Sequence, residues 1–88
     1  MSWAYSFAST AERAFKQLDR QARSGIIRYL EERIATSDDP TRFGKPLRGE
    51  LHGYWRYRVG DYRIVCSVDR GQLLVLVVKV GHRSSIYD

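Results

Sequence analysis

The run Trp55-Arg56-Tyr57-Arg58-Val59-Gly60-Asp61-Tyr62-Arg63-Ile64-Val65-Cys66 constrains this chain more than any other stretch of it. Gly60-Asp61 is a two-residue hairpin signal between two segments rich in aromatic and β-branched residues, and such a turn fixes the register of the strands it joins. Val59 then pairs with Tyr62, Arg58 with Arg63, Tyr57 with Ile64, and Arg56 with Val65. Side chains alternate across a sheet, so Trp55, Tyr57, Val59, Tyr62, Ile64 and Cys66 share one face. That face is apolar throughout and demands a covering layer. The opposite face collects Arg56, Arg58 and Arg63 and is expected to stay open. Arg58 lies directly across from Arg63, and like charges so placed repel unless an anion sits between them. Two readings of the open face stand: arginines solvated or paired with Asp61 and Glu50, or a surface that binds anions. The planar guanidinium fork donates two parallel hydrogen bonds to phosphate, and the clustering weighs toward the second reading.

The covering layer is legible in the first half of the chain. Trp3-Ala4-Tyr5-Ser6-Phe7 alternates large and small as a half-buried strand does. Ser9 and Thr10 offer helix N-caps, and Glu12 sits where the helix dipole favours an anion. Ala11, Ala14, Phe15 and Leu18 recur at helical spacing, leaving Arg13, Lys16 and Gln17 outward. Ala22, Ile26, Ile27, Leu30 and Ile34 continue the stripe after a break near Asp19-Arg20. Residues 10–36 therefore read as two antiparallel helices. Ser37-Asp38-Asp39-Pro40 closes them, and an irregular connection containing Pro40 and Pro46 runs to about Gly53. Strands follow at 54–59, 62–68 and 73–80, the last two joined by a short turn at Arg70-Gly71. By simple parity Leu74, Leu76 and Val78 join the arginine face, so the central strands are expected to be partly covered on that side too, by the C-terminal tail among others. The order β-α-α-β-β-β gives an α+β fold: an antiparallel sheet with a two-helix hairpin on one face and a short C-terminal tail.

Length and charge narrow the function. Eighty-eight residues suffice for a single domain, 1–88. No apolar run reaches the roughly 20 residues of a membrane helix, and Met1 to Tyr5 lack the basic start of a signal peptide, so a cytoplasmic protein with no membrane partner is expected. A lone Cys66 excludes an internal disulfide and lies on the apolar face, where it reads as an inert thiol. His52 and His82 have no Cys, Asp or Glu set at metal-ligand spacing, and no glycine-rich phosphate loop is present; neither cofactor nor metal is expected. The net charge of +5 is uneven, at +1 over residues 1–44 and +4 over 45–88. A small basic domain attracts polyanions, with nucleic acid the leading class and an acidic protein next.

Pro46-Leu47-Arg48-Gly49, then Trp55 through Arg63, then Val80-Gly81-His82-Arg83 with Tyr87 resemble the RelE branch of the RelE/ParE toxins, the toxin halves of bacterial type II toxin–antitoxin pairs. The resemblance spans essentially the whole chain, with its elements in family order. It implies a small toxin that enters the ribosomal A site, cleaves mRNA there, and is held inactive by a cognate antitoxin, with operator DNA reached only through the antitoxin complex. Arg56 and Arg58 fall where RelE toxins place two basic residues, often lysines. Arg63 matches the arginine of the Tyr-Arg pair, Arg83 the arginine after the last strand, and Tyr87 a C-terminal tyrosine implicated in the chemistry. The hairpin at Gly60 is shorter than in some members, and so is the spacing from Gly81 to Tyr87. Arginine at positions 56 and 58 also removes an amine able to give up a proton.

The implied chemistry needs no metal. The RNA 2′-hydroxyl attacks the adjacent phosphorus once the backbone is held in line, so the protein must orient the strand, stabilise charge on phosphoryl oxygens and move two protons. Arg63 and Arg83 suit the phosphoryl charge, Arg56 and Arg58 the flanking phosphates, and Tyr87 the base or a stacking role. His82 is either a proton carrier or a structural hydrogen-bonding residue at the start of the tail. Lys45, Arg48 and Tyr54 are expected to contact mRNA or rRNA. A ParE-like gyrase inhibitor, and a non-catalytic module that only binds antitoxin and nucleic acid, are the alternatives.

Overall fold

Five strands, β1 (Ala4–Phe7), β2 (Lys45–Pro46), β3 (Trp55–Val59), β4 (Tyr62–Asp69) and β5 (Leu74–His82), form one sheet in the order β1-β5-β4-β3-β2. They belong to a computed structural model that describes residues 2–86. The meander β3-β4-β5 is antiparallel as expected, whereas β1 joins β5 in parallel, Ala4 opposite Leu74 and Phe7 opposite Val77. The β3–β4 register is the one the turn dictates, from Trp55 opposite Cys66 to Val59 opposite Tyr62, and Gly60 takes the left-handed φ of +60° that such a turn requires. The second turn is longer than Arg70-Gly71 alone. It runs from Arg70 to Leu73, ties Gln72 N–H to Asp69 Oδ1 at 3.1 Å, and holds Leu73 at φ +52°.

The helices α1 (Ser9–Lys16) and α2 (Arg20–Tyr29) cover the apolar face. Asp19, at the expected break, caps α2 by accepting the Ala22 N–H at 2.8 Å. Ser9 and Thr10 are not caps: Ala8 occupies that position and both lie inside the first turn of α1. Beyond Tyr29 the chain widens into a π-helical turn, Leu30–Ile34, in which Ala35 N–H bonds to Leu30 O at 2.8 Å across five residues. The stripe Ile26, Leu30 and Ile34 is fully buried against Tyr57, Ile64, Cys66, Val75 and Val77. Each such side chain contributes about 1.5–3 kcal/mol relative to exposure.

β4 and β5 do not run in simple alternation. Val65 pairs with Lys79 but Cys66 pairs with Val77, so Val78 is an extra residue in a bulge. Past it the parity of β5 inverts. Leu74 and Leu76 stay on the arginine face as expected, but beyond the bulge Val80 turns into the core, and Lys79 and Gly81 join the arginines. No helix among the described residues is long and apolar enough to cross a membrane.

Candidate functional site

Directly opposed residues of an antiparallel sheet point to the same side. Two cross-strand rows therefore line the face away from the helices: Lys45–Arg56–Val65–Lys79 and Arg58–Arg63–Gly81, with Arg83 just beyond the second. Register places Arg56 beside Lys45 in the first row and Arg58 opposite Arg63 in the second, with Arg83 following β5. Lys79 was invisible to strand parity, because the bulge that turns it to this face has no sequence marker.

The face is helix-free but covered near its centre. Arg63 retains 3% of its exposure and Arg56 8%, while Arg58 is exposed. Part of the cover is the tail. After β5 the chain turns back, Ser85 N–H and Ile86 N–H both donating to His82 O, and a Cβ at Gly81 would stand 2.9 Å from Ile86 Cγ1. Ile86 thus lies over the row that contains Arg63. Arg63 Nη1 donates to Gly60 O at 3.1 Å and Tyr62 O at 3.0 Å, bracing the turn with its own guanidinium.

Arg83 stands mostly exposed at the end of the group. Its N–H donates to Asp61 O at 2.8 Å, tying the tail to the hairpin tip, and its Nε lies 3.8 Å from Asp61 Oδ1 with both side chains mostly exposed. An exposed pair at that distance is worth at most about 1 kcal/mol. Tyr87 lies outside the described residues. His82 is opposite Tyr62 and meets its ring edge-on at 5.5 Å, on the helix side of the sheet and away from the arginine rows. Its Nδ1 accepts the Ser84 N–H at 3.1 Å and touches Ser84 Oγ at 2.9 Å, which matches the structural alternative for this residue.

Arg48 is exposed and Tyr54 half-buried, in the loop and strand entry beside the first row; Tyr54 O accepts the Leu47 N–H at 3.0 Å. Burial pushes the Cys66 thiol and the Tyr57 hydroxyl well above their ordinary values, leaving the first protonated and inert. Tyr57 Oη donates to Pro40 O at 2.8 Å and anchors the connection to the sheet. Among the described residues no three of His, Cys, Asp and Glu converge as metal ligands would.

The family model for the ParE toxin of the type II toxin–antitoxin system parDE matches residues 5–87. The chain belongs to the RelE/ParE toxin superfamily. Toxin RelG of Mycobacterium tuberculosis is 32% identical over 99% of this chain and 98% of its own length, and Toxin RelE of the same organism 30% identical over 93% and 82%. The solved RelBE2 toxin–antitoxin complex of M. tuberculosis contains a chain that superposes with a TM-score of 0.86 at 28% identity, covering 96% of this chain and 94% of that one. In this RelE-type toxin the β3–β4 hairpin and the end of β5 carry the basic face.

Proposed function

We propose that this toxin is a ribosome-dependent endoribonuclease that cuts mRNA in the A site and is neutralised by a cognate antitoxin. One observation carries the reading: the register brings Arg56, Arg58 and Arg63, flanked by Lys45 and Lys79, onto one face, with Arg83 exposed at its end. Permanent cations with paired donors suit a phosphate that gains charge as it is attacked. Arg83 grips the scissile phosphate. Arg63, braced against the turn carbonyls, supplies a fixed positive charge beneath it. Arg56 and Arg58 hold flanking phosphates, with Lys45, Arg48 and Tyr54 further along the strand.

The 2′-oxygen bonds to phosphorus as its proton leaves, the P–O5′ bond breaks, and a proton reaches the departing 5′-oxygen, giving a 2′,3′-cyclic phosphate and a 5′-hydroxyl. Tyr87 is the base in this scheme: a phenol has an ordinary pKa of about 10, and a cation beside a phenol favours its phenolate. His82, on the far side of the sheet, keeps a structural role. With a single proposed proton carrier, the protein alone is a poor catalyst, and the ribosome must hold the mRNA in line. The solved relatives that pair RelE toxins with RelB antitoxins support an antitoxin partner here.

Arg83→Ala should lower cleavage of A-site mRNA in a programmed-ribosome assay by about 10²-fold or more, as removal of an oxyanion donor does. The fold should survive, since the side chain is mostly exposed. Unchanged single-turnover cleavage would reject the assignment. The family model's ParE description supports a second reading, inhibition of DNA gyrase, for which gyrase–DNA cleavage complexes without mRNA cuts would be the signature.

A further inference from the structure

Arg58 belongs to the arginine face by register, and the same residue is part of the lining of a cleft on the helix side of the sheet. β2 spans only Lys45–Pro46 and pairs no further than Arg56, so the outer edge of β3 beyond it is open and a long side chain can bend around it. The cleft, about 400 Å³, lies between α2 and the hairpin tip and is lined by Gly25, Arg28, Tyr29, Glu32, Arg33, Arg58, Val59 and Gly60. Three arginines and one acidic residue, Glu32, share this lining. Among the described residues, no ion pair joins Arg28, Arg33 or Arg58 to Glu32 or to any other acid. Arg33 is instead steadied over the Phe43 ring, 5.7 Å from its centroid. Gly25 leaves open space, with nothing within 4 Å of where a Cβ would be.

The convergence depends on the π-helical turn. Residues five apart stand about 140° from each other on a regular helix, which would turn Arg33 away from Arg28. The extra residue in Leu30–Ile34 brings both to the same cleft.

We propose that this cleft binds the phosphodiester backbone of RNA beyond the scission site, with Arg28 and Arg33 as donors of its own and Arg58, which the proposed function places at the flanking phosphates, shared between the two. Uncompensated arginine forks match phosphate oxygens. A helical protein partner would instead need an apolar stripe to receive it, and the lining offers only half-buried Tyr29 and Val59. Because Arg58 belongs both to the arginine row and to the lining of the cleft, one RNA strand can touch the arginine face and continue into the cleft.

The test is binding of a fluorescent 2′-O-methyl RNA oligonucleotide, which cannot be cut, to the full chain across a series of salt concentrations. Arg28→Ala and Arg33→Ala should each weaken binding several-fold. Each should also flatten the logarithmic salt dependence by about 0.7 per lost phosphate contact. Lys16→Ala, which removes the same charge from the exposed face of α1, should do neither, and thermal midpoints of all three should match the parent. Effects no larger than those of Lys16→Ala would overturn the proposal. So would variants that impair binding of a glutamate-rich peptide but leave RNA binding intact, which would assign the cleft to a protein. Programmed-ribosome cleavage by the parent chain is scored independently, so a toxin that binds RNA in this way without cutting it fails the cleavage reading alone.

Discussion

The two faces of the β3-β4-β5 meander are both buried near their centre, by different means. On the helix side, Tyr57, Ile64, Cys66, Val75 and Val77 meet Ile26, Leu30 and Ile34 in a continuous apolar core. On the other side Arg56, Arg63 and Val65 are also withdrawn from water, but the cover there includes the folded-back tail rather than a helix layer. The first face is stabilised by area removed from water. The second holds buried cations, and the fork of Arg63 meets the Gly60 and Tyr62 carbonyls. Arg63 is therefore part of the scaffold as well as a proposed substrate contact, whereas exposed Arg83 is proposed only as the latter.

The largest effect tests the apolar face. Ile64→Ala should cost about 2–5 kcal/mol, because the residue is fully buried between the α2 stripe and its strand neighbours. A urea midpoint that barely moves would mean that this face is not the principal core. Arg63→Ala separates the two kinds of arginine. Losing the donor to Gly60 O and Tyr62 O should cost about 1–3 kcal/mol, whereas Arg83→Ala should stay within about 0.5 kcal/mol of the parent. Equal stability of the two variants would erase the distinction between scaffold and substrate cations.

The same contrast explains what could be read from the amino-acid sequence. A Gly60-Asp61 turn has one sensible register, and every β3–β4 pair follows from it. The α2 stripe and the cap at Asp19 are equally local and equally legible. The bulge at Val78 is not, because Leu74 through Val78 is apolar at every position and either parity satisfies the pattern. Lys79 was missed for that reason. Cover by the tail was legible from the apolar Leu74, Leu76 and Val78 on that side, but its contact, Ile86 on Gly81, comes through a turn that has no periodic signature. Arg28 and Arg33 meet only because a π-helical turn interrupts the wheel on which helical faces are counted. Clustering of charge was visible in the sequence, but its degree of burial depends on contacts between distant segments.

The faces also differ in how they respond to acid, which gives the smallest predicted effect. Guanidiniums stay charged across the accessible range. The support of the apolar face does titrate, at the connection where Pro40 O receives the Tyr57 hydroxyl. There Asp39 Oδ1 accepts Thr41 Oγ1 at 2.6 Å and Thr41 N–H at 3.1 Å, with Arg70 Nη2 at 3.3 Å. These hydrogen bonds from Thr41, followed by the Arg70 charge, hold the Asp39 carboxyl below its ordinary value of 3.8. A carboxyl with a depressed folded-state pKa adds stability above its unfolded pKa and loses it as pH falls through the folded one. Asp39→Asn should therefore be slightly less stable than the parent at pH 6, and the gap should close as pH drops below about 3.8. Paired urea titrations at pH 6 and in the acid range measure that gap. A constant difference across both would place the contribution of Asp39 in shape rather than charge, and would leave the two faces alike in their response to acid.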